Sequence, residues 1–276
     1  MVKTSNSILL LGESNVGKTH YGAQLLKRLI KADGRLRMDK APTNMKPFED
    51  AMHRLDEGLA ASHTTASTYL DSLWPLVDLD GRVGELVWPD YGGEQLKNII
   101  ETRRLPIGWK ERIKNADTWL LMVRINKMRV HDDVFSRPLE KLQNPNPDST
   151  MQMSDQARMI ELLQMLLHIR GEFSEAQLTA PRLGVLLTCW DELTEMGKPS
   201  EIFRTQLPLL SDFVWSNWAD PLVLGLSALG RSLDPQRCDE DYVTGGPDQF
   251  GYVVTADGQK TSDLTIPIEM LLSSHA

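Results

Sequence analysis

The chain has 276 residues, 41% of them hydrophobic and 25% charged, which is ample material for a core. A formal net charge of −8 and a pI near 5.3 argue against non-specific binding to nucleic acid or to an anionic membrane surface. Cys189 and Cys238 fall in no CxxC or Cys/His cluster and read as reduced thiols. No segment reaches the roughly 20 apolar residues of a membrane span, and the N-terminus lacks signal-peptide features, so a cytoplasmic protein is expected.

In chain order, Ser7 to Leu11 is an apolar run typical of a buried parallel strand. It ends in "GESNVGKT", and helical spacing follows over Thr19 to Ala32, with Tyr21, Leu25, Leu26 and Leu29 on one side. Residues 33–48 read as loop, and Glu49 to Leu59 as a short helix. "LWPLVDLDGRVGELVWPD" at 73–90 reads as a β-hairpin turning at Asp80-Gly81. The following stretch is helical with a break near Pro106, and 118–125 is another buried strand. Residues 131–150 form a polar, Pro-containing loop. Ser154 to Arg170 is an amphipathic helix with Ala157, Ile160, Leu163 and Leu167 on one stripe. Residues 182–193 and 221–230 are strands followed by turns. Asp257-Gly258 suggests a second hairpin, and Ile268 to Ser273 a last helical turn or two. Strands alternating with helices predict an α/β protein with a sheet covered on both faces.

The chemistry begins at Gly12, Gly17, Lys18 and Thr19, which fit G-x-x-x-x-G-K-[ST]. A Gly-rich turn lets the backbone N–H groups of Glu13, Ser14, Asn15, Val16, Gly17, Lys18, Thr19 and His20 face phosphate oxygens, and the helix behind adds its positive end. Lys18 supplies a cation at the β/γ-phosphates and Thr19 a hydroxyl for Mg²⁺. A strand end followed by a helix is the context that this motif requires. "PDYGGEQ" then places Asp90 at a strand end as an Mg²⁺ ligand, usually through water, and Gly93 where its N–H meets a γ-phosphate. Glu94 and Gln95 come next; either handles an attacking water, or neither does and both start a solvated helix.

"LLTCWDEL" ends a strand at Thr188, Cys189, Trp190 and Asp191 and is similar to the guanine-reading pattern [NT]KxD. Asp191 accepts from guanine N1–H and N2–H₂, donors that adenine lacks. The alternative is that Asp191 caps a helix start. Ser227-Ala228-Leu229 resembles the SA[KL] loop, where the N–H of Ala228 meets guanine O6.

The ordered set GESNVGKT, DYGG, TCWD and SAL resembles a translation-factor-class P-loop GTPase over roughly residues 5–232. "LLLGESNVGKT", the Trp-rich acidic turn, "WDEL" and the "DG…SDLTIP" tail are similar to bacterial double-GTPase families associated with conflict or defence systems. The resemblance implies a three-layer fold: a mostly parallel sheet with one antiparallel strand and helices on both faces. It further implies one GTPase domain over 1–276, with an insertion around 126–180 and a C-terminal extension at 233–276. The implied ligands are GTP or GDP with Mg²⁺, and the implied partners are proteins meeting the switch regions and the insertion, with no nucleic acid and no membrane. A switch hydroxyl for Mg²⁺ is sought in "HTTASTY", where Thr65 is favoured. Arg103 or Arg104 is a candidate internal arginine finger, or else a solvated pair at a helix end. Two departures stand out. Cys189 occupies the place of the lysine whose stem usually packs on the base, leaving that task to another side chain, and Glu94 sits where many small GTPases carry glutamine.

Overall fold

The computed structural model describes residues 6–61, 72–88, 93–105, 107–128, 154–172, 175–194 and 197–273. β1 (Asn6–Leu11) runs into the glycine turn and α1 (Lys18–Lys31), followed by β2 (Leu36–Met38) and α2 (Lys46–Asp56). The hairpin is β3 (Ser72–Asp78) and β4 (Val83–Trp88), with Gly81 in the left-handed region that its turn requires. Next come α3 (Gly93–Thr102), α4 (Ile107–Asn115), β5 (Thr118–Arg124) and α5 (Asp155–Arg170). The chain finishes with β6 (Arg182–Thr188), α6 (Pro199–Gln206), α7 (Pro208–Asn217), β7 (Leu222–Ser227), α8 (Glu240–Gly245), β8 (Tyr252–Val254), β9 (Lys260–Thr261) and α9 (Ile266–Ser273).

All the described strands form one sheet, in the order β2-β3-β4-β1-β5-β6-β7-β8-β9. Pairing from β4 through β7 is parallel, whereas β3 runs antiparallel to β2 and β4. A second antiparallel strand, β8, extends the sheet beyond the single one expected: the chain returns after β7 to lay β8 against it, and the Asp257-Gly258 turn then folds β9 back onto β8. β2 lies inside the stretch read as loop. With three residues and only Leu36 buried, it is too short to show a period. α6 and α7, which carried no expectation, each begin with proline, a residue that tolerates the first helical turn and starts the helix there.

Alternation along β1 divides the core. Leu9 and Leu11 face one layer with α3, α4, α5, α6 and α7, while Ile8 and Leu10 face the other with α1, α2 and α9. α5 buries Met159, Leu162, Leu163, Leu166 and Leu167, so its inner face is rotated from the expected stripe, Ala157 and Ile160 being only partly covered. Ser154 caps its start by accepting from Ala157 N–H at 3.0 Å. α9 packs directly on the sheet: a Cβ at Gly84 would lie 2.4 Å from Leu272 Cδ2, and one at Gly184 2.9 Å from Leu271 Cδ1. Glycine at those positions is what lets the C-terminal helix reach the strands. On the same layer Trp74 and Trp88 stack at 5.2 Å, with Phe48 edge-on to both.

Parallel pairing brings the C-terminal ends of β1, β4, β5, β6 and β7 to one edge of the sheet, where ligands of open α/β sheets bind. The switch stretch 62–71, which includes Thr65, and the turn 89–92, which includes Asp90, lie outside the described residues, as does 129–153.

Candidate nucleotide site

At the end of β1 the turn closes with Asn15 (φ 62) and Gly17 (φ 83) in the left-handed region, and α1 starts at Lys18. No side chain caps the helix N-terminus, and no acidic residue stands in its first turn. Such an end presents backbone N–H groups and the positive pole of the helix to an anion. Lys18 Nζ donates to the carbonyls of Gly12 at 2.7 Å and Glu13 at 2.5 Å, so the ammonium lies folded over the turn. Burial pushes its pKa down to about 7, against the pull of the Glu13 charge. An anion in the turn would restore the charged form. Thr19 and His20 follow on α1, and His20 Nε2 accepts from Ala61 N–H at 2.9 Å, tying α1 to the chain that leads into the switch stretch.

The candidate base-reading residues come together from two strand ends. Ser227 Oγ, at the end of β7, donates to Asp191 Oδ1, which follows β6, and accepts from Gly230 N–H at 2.8 Å. Asp191 therefore faces the neighbouring strand end rather than capping a long helix; its own turn, Trp190–Glu192, is a single 3-10 turn. Cys189 adopts a left-handed conformation (φ 54), and its Sγ would lie 3.9 Å from a Cβ built on Gly17, so the thiol looks onto the phosphate turn. Burial pushes this thiol up to about 11, partly offset by Arg124.

Gly17, Lys18, Thr19 and His20 share one open cavity of about 560 Å³ with Thr188, Cys189, Asp191, Ala228 and Leu229. Ser14, Asn15, Arg124 and Arg231 also line it. A larger cavity of about 1080 Å³ lies on the other side of the turn, lined by Glu13 to Val16, Arg103, Arg124, Lys127, Arg158 and Glu161. The smaller one is the candidate nucleotide site, because among the described residues it joins the Gly-rich turn to the ends of β6 and β7. Gly93 begins α3, with Glu94 and Gln95 in its first turn; their side chains lie outside the described part. Arg103, in the left-handed region (φ 52), donates from Nη2 to Glu161 Oε1 at 2.9 Å and is largely exposed, as is Arg104.

Two arginines escaped the sequence reading. Arg158 on α5 grips Glu13 with Nε at 2.5 Å and Nη2 at 2.8 Å, and pairs with Asp155 at 2.8 Å. The hydrogen bonds to Glu13 raise its pKa further. Arg124, the last residue of β5, donates from Nη1 to the Asn15 carbonyl at 3.0 Å and holds Glu192 with Nε at 3.0 Å and with Nη2. The available signal for Arg124 was a charge closing the otherwise apolar run "TWLLMVR" at a strand end. Nothing local marked Arg158.

Among the described residues no group of three or more His, Cys, Asp or Glu side chains forms a metal site, and no helix is long and apolar enough to cross a membrane. Among solved structures the chain is similar to the bacterial selenocysteine-specific elongation factor EF-Sec, at 14% identity and a TM-score of 0.37, over 82% of this chain and 26% of that one. It thus spans about a quarter of that protein. It is also similar to the signal recognition particle receptor SRb-GTP/SRX complex from Chaetomium thermophilum, at 15% identity and a TM-score of 0.40, over 85% and 96% of the two chains. No curated protein matches the chain. The Double-GTPase 1 family model, by contrast, matches residues 9–271. The chain, with its Gly-rich turn and the ends of β6 and β7 on one cavity, belongs to the Double-GTPase 1 family.

Proposed function

We propose that the chain is a GTP-operated switch that hydrolyses GTP slowly by itself and turns over faster when a protein partner engages it. We further propose that residues 1–276 act as one GTPase unit within a bacterial multi-protein defence system. Partners would meet the switch stretches around Thr65 and Asp90 and the chain within 126–180. The observation that carries the nucleotide reading is the joint cavity: Asp191, oriented by Ser227, stands at one end, and the uncapped start of α1 with Lys18 at the other.

In this reading the backbone N–H groups from Glu13 to His20 receive the phosphates, and Lys18 turns from the Gly12 and Glu13 carbonyls to the β/γ-oxygens. Asp191 accepts from guanine N1–H and N2–H₂, the Ser227 hydroxyl steadies it, and the Ala228 N–H meets O6. Thr188 and Leu229 border the base. The donors fit Mg²⁺: the hydroxyl of Thr19 lines the phosphate end of the cavity, and hydroxyl and carboxylate oxygens are the hard ligands this ion takes. Thr19, Asp90 and the switch residue Thr65 would hold it, and it would supply positive charge at the phosphate oxygens. The Gly93 N–H would sense the γ-phosphate, Glu94 or Gln95 would orient water, and Arg103 would offset developing charge.

A second reading is a nucleotide-locked module that recruits partners without useful turnover. Glu94 favours it, since a carboxylate beside the γ-phosphate is repelled. Single-turnover phosphate release separates the two. For base choice the test is titration of GTP, GDP, ATP and xanthosine triphosphate against wild type and Asp191→Asn. The expected result is GTP binding by wild type and a shift towards the xanthine nucleotide in the variant. Equal binding of ATP and GTP by wild type would overturn the assignment of Asp191.

A further inference from the structure

The guanine reading leaves one place unfilled. Cys189 offers a short, neutral thiol where the resembled pattern carries a long lysine, beside the span from the base-reading turn to the phosphate turn. The structure shows which residue bridges that span. β5 and β6 pair in parallel with Arg124 opposite Thr188, so the Arg124 side chain leaves the sheet edge beside Cys189. Its guanidinium reaches the Asn15 carbonyl of the phosphate turn at 3.0 Å and is held from behind by both carboxylate oxygens of Glu192. Glu192 is itself fixed through its backbone carbonyl, which accepts from Asn126 Nδ2 at 2.6 Å. Arg124 and Glu192 both line the nucleotide cavity and are mostly covered, at 21% and 26% side-chain exposure. A planar fork of this kind has no slack: it fixes the distance between its two acceptors.

We propose that Arg124 is a binding and positioning residue for the guanine nucleotide, clamping the phosphate turn at Asn15 to the base-reading turn at Glu192 and lining the nucleoside pocket in place of the side chain that Cys189 lacks. The proposal rests on the GTP-site reading above and assigns it a residue that the motifs do not contain. The strand arrangement makes the exchange physically natural. A residue at the end of β5 and one just after β6 converge on the same volume, so one long cationic side chain there suffices, and two would repel each other.

The test measures GDP and GTP dissociation constants by fluorescence titration for wild type, Arg124→Ala, Arg124→Ala/Cys189→Lys and Glu192→Gln. Loss of hydrogen bonds from a charged donor is expected to raise the Arg124→Ala constants about 10- to 100-fold. Restoring a lysine at 189 in that background should recover at least about tenfold of the loss, which a merely structural defect would not allow. Wild type that binds guanine nucleotides, with Arg124→Ala within twofold of it, overturns the Arg124 assignment alone. A loss that Cys189→Lys leaves wholly unchanged also overturns it. Wild type that binds neither GDP nor GTP overturns the site reading and this assignment together. Should Arg124→Ala not fold, Glu192→Gln decides: it keeps the arginine but weakens its anchor, a several-fold weaker affinity is expected, and an unchanged one overturns the clamp.

Discussion

Arg158 of α5 closes a two-pronged ion pair on Glu13, the second residue of the phosphate turn, with contacts of 2.5 and 2.8 Å. Both side chains are about four-fifths covered, so the pair is neither a surface ornament nor fully dry. It ties the loop that would carry the phosphates to a helix whose N-terminal side continues into the stretch 129–153.

Removing one partner leaves the other's charge uncompensated. Arg158→Ala is expected to cost about 1 to 2 kcal/mol of stability, between the values for exposed and buried pairs, and to weaken nucleotide binding because a free carboxylate then sits behind the turn. Adding Glu13→Gln should recover much of both losses. Thermal melts and GTP titration of the single and double variants check this; a double variant no better than the single one would show that the charge is not the cause.

Lys18→Ala should lower nucleotide affinity on the order of 100-fold or more, since a charged donor to phosphate oxygens is lost. The fold should survive. Burial already works against this ammonium, pushing it down to about 7, so the variant sheds a desolvated charge along with its two carbonyl contacts. The checks are circular dichroism and a melting curve within a few degrees of wild type, alongside the titration.

Thiol labelling against pH reads the base-reading turn. Burial disfavours the Cys189 thiolate and pushes its pKa up to about 11, so at pH 8 roughly 0.1% is reactive. Iodoacetamide labelling at Cys189 is expected to be slow at pH 8 and to rise about tenfold per pH unit until it approaches pH 11. Cys238, which is exposed, provides the control in the same sample. Peptide-resolved mass spectrometry measures both, and GTP should slow Cys189 further. A Cys189 labelling rate that levels off by pH 8 would contradict the buried-thiol account.

Isolated protein is expected to release phosphate slowly, because in the proposed reading Glu94 brings a carboxylate towards the γ-phosphate and Gln95 is one step displaced. Arg103 itself is largely exposed and, among the described residues, pairs with Glu161, a contact worth on the order of 1 kcal/mol that a turn inward would have to break. An arginine acting on the transition state contributes on the order of 10³ to 10⁵ in rate, and partner-stimulated turnover should fall accordingly in Arg103→Ala or Arg104→Ala. Glu94→Gln should speed the basal rate. Fast wild-type release, indifferent to all three substitutions, would sink both the slow-switch reading and the arginine assignment.

The Gly-rich turn and the strand-end turns at TCWD and SAL were legible in the sequence because each is a local device: a few consecutive residues at a strand end whose spacing is set by backbone geometry; the acidic turn at 89–92 lies outside the described residues. The β3-β4 and β8-β9 hairpins were legible for the same reason, through Asp-Gly turns. β2 was too short to carry a period, and α6 and α7 gave no sequence signal that was read. Only the tertiary structure decided what joins these parts. Which arginine meets Glu13, that Arg124 bridges Asn15 and Glu192, and that Gly84 and Gly184 open the sheet to Leu272 and Leu271 of α9 all follow from strand order, register and where the helices pack on the sheet. Those residues lie far apart along the chain, and a pairing between them depends on which strand ends and helices the fold sets side by side, a relation that no local pattern encodes.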